Sequence, residues 1–160
     1  MAEDIKILWN DEYLTGDIKY NNGDLVRELG LETAYLMSLF LNRRADEDDE
    51  LPDSNNDDRQ GWWGDQVSEF EGDQIGSKLW LLSRSKTDQD TIIKAEAYVK
   101  EAIEWAVEDG VVAKNEVEVY RIDRSDGSAT LALKVIAYRS DGTKAIEMQF
   151  DDLWTAQLGG

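Results

Sequence analysis

Two Asp-Gly dipeptides, Asp126-Gly127 and Asp141-Gly142, each fall between runs in which apolar and polar residues alternate. Val117 and Val119 precede the first, Leu131, Leu133, Val135 and Ala137 lie between the two, and Ile146, Met148 and Phe150 follow the second. A period of two places alternate side chains on one face of a strand, and Asp-Gly favours tight turns whose twist matches adjacent antiparallel strands. The last third of the chain is therefore predicted to be a three-stranded antiparallel meander with one apolar face. Such a face has to be covered by another layer of structure.

Two upstream segments qualify as the cover. From Thr33 to Arg44 the apolar residues Ala34, Tyr35, Leu36, Met37, Leu39, Phe40 and Leu41 surround a helix rather than stripe it, which predicts a deeply placed helix. Arg43 and Arg44 are expected to close it, opposite the negative end of the helix dipole. After Thr87-Asp88, the positions Ile92, Ala95, Val99, Ala102, Ile103 and Ala106 recur at helical spacing until Asp109-Gly110. A shorter helix is expected after Asp73, with Ile75, Leu79 and Leu82 on one face. Near the start, Ile5 to Trp9, Asp17 to Tyr20 and the turn Asn21-Asn22-Gly23-Asp24 predict a small antiparallel ribbon. The order ribbon, helices, meander defines a single α+β domain over residues 1–160.

Composition narrows the chemistry. The chain has no Cys and no His, which removes disulfides, thiolate nucleophiles, imidazole bases and most structural zinc sites. With 35 Asp+Glu against 17 Lys+Arg the net charge is −18, a field that repels nucleic acid. The longest greasy segment, Ala34 to Leu41, is far below the ~20 residues that cross a bilayer. The start Met1-Ala2-Glu3-Asp4 lacks the basic flank and apolar stretch of a secretory signal, so synthesis in the cytosol without a membrane anchor is expected.

Each short catalytic motif lacks its partners. Gly72-Asp73-Gln74-Ile75-Gly76-Ser77-Lys78 is too short for a phosphate loop, and Lys78 does not follow a glycine. Ser83-Arg84-Ser85-Lys86 has the Ser-x-x-Lys spacing without the elements that accompany it in lysine-assisted serine enzymes. Asp53, Asn55 and Asp57 open like a calcium loop, but Asp58 stands where the turn requires Gly and Gly64 where a bidentate Glu is required. A glycosidase needs only two carboxyl groups, and with so many acids a pair identifies nothing. No catalytic residue, cofactor or metal is expected.

Residues 45–60 form an acidic loop: eight acids lie between Asp46 and Asp58, with no base and the only proline, Pro52. Like-charged runs of this kind are usually solvated; the sharper reading is a docking arm for a basic partner. Without those eight acids the body keeps 27 acids against 17 bases, so the charge is global. Trp62 and Trp63 follow Gly61 and precede Gly64, glycines that let the backbone turn tightly enough to present large rings. One ring is expected over the core and the other as an interface anchor. Trp9, Trp80, Trp105 and Trp154 sit in or beside regular apolar patterns and read as core or core-edge residues.

Three blocks carry a family resemblance: Gly30-Leu31-Glu32-Thr33-Ala34 through Ser38-Leu39-Phe40 to Asn42-Arg43-Arg44-Ala45; Leu51-Pro52-Asp53 with Gly61-Trp62-Trp63-Gly64-Asp65; and Gly76-Ser77-Lys78-Leu79-Trp80-Leu81-Leu82-Ser83-Arg84. With the ending Phe150-Asp151-Asp152-Leu153-Trp154, they resemble the Mu-type phage tail protein family numbered forty-six in that phage. The family commonly has Thr-Asp before the Arg pair, where this chain has Leu41-Asn42. The resemblance implies a non-enzymatic, structural component of a contractile-tail baseplate wedge. It also implies a fold similar to the lysozyme-like wedge protein of T-even phages and to the related baseplate protein of type VI secretion systems. Expected partners are other wedge and tail proteins and the sheath, in a hetro-oligomeric virion baseplate reached after synthesis in host cytoplasm, with neither nucleic acid nor membrane insertion. Arg43, Arg44, Trp62 and Trp63 are the expected contact region. The alternatives are an acidic nucleic-acid mimic that occupies a basic site on a host protein, and a regulatory adaptor, since fold does not dictate function.

Overall fold

A computed structural model describes residues 30–67 and 74–154, together with short strands between residues 4 and 28 for which the backbone pairing is given. Those strands are β1 Asp4–Ile5, β2 Ile7–Asn10, β3 Thr15–Ile18, β4 Tyr20–Asn21, β5 Asp24–Leu25 and β6 Arg27–Glu28. All pair antiparallel: β2 with β3, setting Ile7 opposite Ile18; β4 with β5, setting Tyr20 opposite Leu25; and β1 with β6, setting Asp4 opposite Glu28. The N-terminal ribbon is thus present as three paired pieces. The side chain of Trp9 and the residue Asp73 lie outside the described residues.

Helix α1 covers Leu31–Phe40 and buries Thr33, Tyr35, Leu36, Ser38 and Leu39. It ends before the expected Arg44. Leu41 turns extended, its carbonyl accepts the Ser77 N–H at 2.9 Å, and Arg43 N–H donates to the Ser77 carbonyl at 3.0 Å. This parallel contact between residues 42 and 77 replaces the next helical turn, so Arg43 and Arg44 lie beyond the helix and do not close it. Gly76 permits the approach: its φ is +104°, and a Cβ there would sit 2.4 Å from the Leu41 carbonyl oxygen. The helix expected around Ile75, Leu79 and Leu82 is only a 3-10 turn over Leu79–Leu82, all four residues buried.

Helix α2, Gln89–Ile103, starts where Asp88 accepts the Thr91 N–H, and it buries Thr91, Ala95, Val99, Ala102 and Ile103. A short α3, Trp105–Glu108, continues it to Gly110, where φ is +70°. The meander follows as β7 Lys114–Asp123, β8 Ala129–Tyr138 and β9 Lys144–Phe150, in spatial order β7-β8-β9. Its two turns share one design. Gly127 donates to the Arg124 carbonyl while Arg124 N–H reaches Ser128; Gly142 donates to the Arg139 carbonyl while Arg139 N–H reaches Thr143. Only the glycines have positive φ, so each turn is a type I turn followed by a left-handed glycine rather than a two-residue connection.

Helices α1 and α2 cover the apolar face of the sheet, giving the expected α+β architecture. Leu131, Leu133, Val135 and Ala137 of β8 are wholly buried against Tyr35, Leu39, Val99 and Ile103. Burying such aliphatic side chains contributes about 1.5–3 kcal/mol each. Polar atoms within this core are matched: Tyr35 Oη donates to Asn115 Oδ1 at 2.7 Å, Asn115 Nδ2 donates to the Ile103 carbonyl at 3.0 Å, and Trp105 Nε1 donates to Ser38 Oγ at 3.0 Å. Trp154 packs at the edge of the same core.

Candidate functional site

Between α1 and α2 the chain makes little regular structure, and backbone polar groups are satisfied by loop-to-loop bonds. Ser77 Oγ donates to the Leu39 carbonyl at 2.6 Å and Trp80 Nε1 to the Arg43 carbonyl at 2.8 Å. The acidic loop is closed at its neck, where Ala45 N–H donates to the Arg59 carbonyl at 3.0 Å. The Arg59 guanidinium reaches back to the carbonyls of Asp46 and Glu47. Inside the loop, Asp53 accepts the Asn55 N–H, Asn56 Oδ1 accepts the Asp58 N–H, and Asp58 accepts the Gln60 N–H. Side-chain turns of this kind mimic backbone turns, so the segment is a self-packed Ω-loop with a solvated outer rim.

Lys78 pins it from below. Its side chain is 8% exposed, and its ammonium pairs with Asp46 and, at 2.7 Å, with Asp49, whose side chain is 18% exposed. Burial of the ammonium opposes its charge, but the hydrogen bonds it donates to Asp46 and Asp49 outweigh that and raise the Lys78 pKa above its ordinary value. Burial likewise opposes ionisation of Asp49, while Lys78 and the Asp46 N–H together hold its carboxyl below the usual range. A small second core of Ala45, Trp80 and Leu81, with Leu51 and Tyr98 against it, lies beside this pair. In the sequence, Lys78 draws notice as part of a failed phosphate loop and of the third family block, neither of which gives it a partner. Its signal is a lone cation opening the apolar run Leu79–Leu82, and its partner Asp46 lies 32 residues away.

The expected contact residues divide into two settings. Arg44 is exposed, donates to the Gln60 carbonyl at 3.2 Å and packs its Cβ against Gly61, where φ is +114°. The neighbouring Gln60 is the one non-glycine with positive φ among the described residues, at 52°. Trp62 is half-buried and lies across Gly64, where a Cβ would be 2.1 Å from its ring. Trp63 tilts against it, with ring centroids 5.4 Å apart and planes at 45°, and remains 73% exposed. Arg43 turns elsewhere: it bonds Gln74 at 3.2 Å and pairs with Glu101 of α2 at 3.1 Å. The structure therefore sets Arg44 beside the segment that carries the two indoles and directs the Arg43 guanidinium to α2.

Asp53, the first residue of the calcium-like spacing, is engaged by Asn55 and by Arg84 at 3.4 Å. The Asn55 backbone N–H is the main influence that keeps its carboxyl below the ordinary range. Among the described residues no group of three or more Asp or Glu is placed to hold a metal ion, and no helix is long and apolar enough to cross a membrane.

Residues 31–144 match the family model described as "Phage protein GP46". The chain is 44% identical over 102 residues to the baseplate protein gp46 of Escherichia phage Mu, covering 64% of this chain and 66% of that protein. It thus spans just under two thirds of that relative. It is also 29% identical over 140 residues to the Mu-like prophage FluMu protein gp46 of Haemophilus influenzae, covering 88% of this chain and 90% of that protein.

Proposed function

Because the chain belongs to the Mu-like GP46 family of phage proteins, we propose that it is a structural component of a phage baseplate that acts through protein–protein contacts. The observation that carries this reading is its similarity to a protein named as a baseplate component of phage Mu. Its finer form is a non-enzymatic single-domain joint, residues 1–160, in the wedge of a contractile tail. That joint is synthesised in the host cytoplasm and binds neighbouring wedge, tail and sheath proteins in the virion baseplate.

The structure supplies physical support for a joint. A helix-and-sheet core gives a fixed frame, and the segment beside it presents Trp63 to solvent on a platform of Trp62 and Gly64. Exposed indoles held in one geometry lose little entropy on binding and are enriched among interface residues that dominate affinity. Arg43, Arg44, Trp62 and Trp63 are the contact region of this proposal, with Arg44 and Trp63 the outward members.

The test is co-assembly with the other baseplate proteins of the phage or prophage that encodes it. Arg44→Ala with Trp63→Ala is expected to leave thermal unfolding unchanged and to weaken association at least about tenfold. Undiminished association of the folded double variant rejects this contact region, and absence of any association with those proteins rejects the baseplate role.

A further inference from the structure

We propose that the cavity beneath the acidic loop is a socket for a basic side chain carried on an extended segment of a neighbouring protein. The cavity measures about 230 Å³ and its lining includes Asn42, Asp53, Asp58, Gln60, Trp80 and Arg84. It is smaller than the roughly 300–1,000 Å³ typical of small-molecule sites and matches one long side chain. The inference rests on the assembly reading above, and it names the chemistry of the partner.

Three observations define that chemistry. Asn42 Oδ1 is a buried acceptor with no hydrogen-bond partner, its amide nitrogen being engaged by Gln60. A buried acceptor left unbonded is costly, and an N–H donor that reaches it as the side chains around the cavity adjust removes that cost. Second, the lining carries two carboxylates against the single guanidinium of Arg84. That side chain is 67% exposed and reaches Asp53 only at 3.4 Å, longer than a strong charge-assisted bond of about 2.7–2.9 Å. Lys and Arg offer several N–H donors and no acceptor, and their apolar stems suit the Trp80, Leu51 and Pro52 surfaces.

Third, Leu51 and Pro52 also line a second cleft of about 450 Å³ on the side of α2. There Asp48 and Glu50 have no ion pair among the described residues. An extended segment crossing the Leu51-Pro52 ridge therefore meets acceptors on both sides, with Asp48, Asp49 and Glu50 set against Arg84 and Lys94 in the second cleft. The net charge of −18 steers a basic segment toward this surface and turns an acidic one away.

The experiment titrates the ¹⁵N-labelled full chain with the peptide Gly-Arg-Gly-Arg-Gly at physiological salt, with a citrulline version as the uncharged control. Saturable shifts are expected at the Asn42 side-chain amide, the Trp80 indole N–H and the Ser83 amide, and none with citrulline. Asp53→Asn with Asp58→Asn should weaken binding about tenfold, whereas Arg84→Gln, which releases Asp53, should strengthen it about threefold. Shifts spread evenly to the outer sheet face, at Glu116 and Glu147, would overturn the proposal, as would affinity indifferent to these substitutions. If Trp63→Ala weakens baseplate association while the Asp53/Asp58 pair does not, the socket falls and the baseplate role stands. If the peptide binds as described yet no baseplate protein associates, the socket stands and that role falls.

Discussion

The half of the molecule from α2 to β9 and the segment from Leu41 to Arg84 are held by different forces. In the first, β8 buries Leu131, Leu133, Val135 and Ala137 completely under the helices, and the dominant contribution is removal of apolar surface from water. In the second, a small core of Ala45, Trp80 and Leu81 is supplemented by directional bonds from Ser77, Trp80, Arg59 and Lys78. Burial is indifferent to pH and only mildly sensitive to salt, whereas charged pairs depend on both. The contrast explains how one chain combines a stiff frame with a surface whose detailed shape rests on polar clips.

The largest expected effect breaks the frame. Leu133→Ala removes a wholly buried side chain from the central strand and should cost about 3–4 kcal/mol, read as a lower urea midpoint with loss of amide protection in β8 and α2 together. If protection fell only between Leu41 and Arg84, the two regions would not be divided as described.

Next in size, Lys78→Met keeps a long buried stem but leaves Asp49 without its ammonium, at about 2 kcal/mol. The loss should appear as faster exchange of the Ala45 amide, at the neck of the loop, with β8 protection retained. The pH dependence has a definite sign. Asp49 has its pKa lowered on folding, so its stabilisation is complete above the unfolded value of about 3.9 and disappears as pH falls through the depressed folded value. Lys78 has its pKa raised, so its contribution is complete below about 10.4 and is lost as pH rises through the folded value. Ala45 protection should therefore be level near neutrality and fall at both extremes, and in Lys78→Met both steps should shrink. An unchanged acid step in that variant would remove Lys78 from its assigned role.

The smallest stability effect sharpens the comparison at the exposed indoles. Gly64→Ala forces the Trp62 ring off its seat, since the new methyl would lie 2.1 Å from it. Because that ring is only half-buried, the cost should stay within about 1 kcal/mol. Tryptophan emission should nonetheless move to longer wavelength. An unaltered spectrum would show that Trp63 does not depend on this platform.

Local pattern made the frame legible. The two Asp-Gly turns, the alternation along β8 and the helical spacing from Ile92 to Ala106 each involve residues within a few positions of one another. The same kind of reading extended α1 too far, because nothing near Leu41 announces that Ser77 will take its carbonyl. It grouped Arg43, Arg44, Trp62 and Trp63 as one contact region through the glycines and the family blocks, and nothing local marked Arg43 as the member that turns to Glu101. It missed the Lys78 pins and the Asn42 cavity, where the residues come from distant parts of the chain.

What the sequence by itself determined is the sheet, its helical cover, the acidic surface and the absence of Cys and His chemistry, since periodicity, turn residues and composition act locally or as sums. Only the tertiary structure decided that Arg43 faces α2 while Arg44 faces outward, that the acidic loop is anchored on Lys78, and that Asn42 lines a cavity with an unbonded oxygen. The physical reason is that ion pairs and orphaned polar atoms depend on where two remote segments meet and which way each side chain turns, and neither leaves a period in the chain.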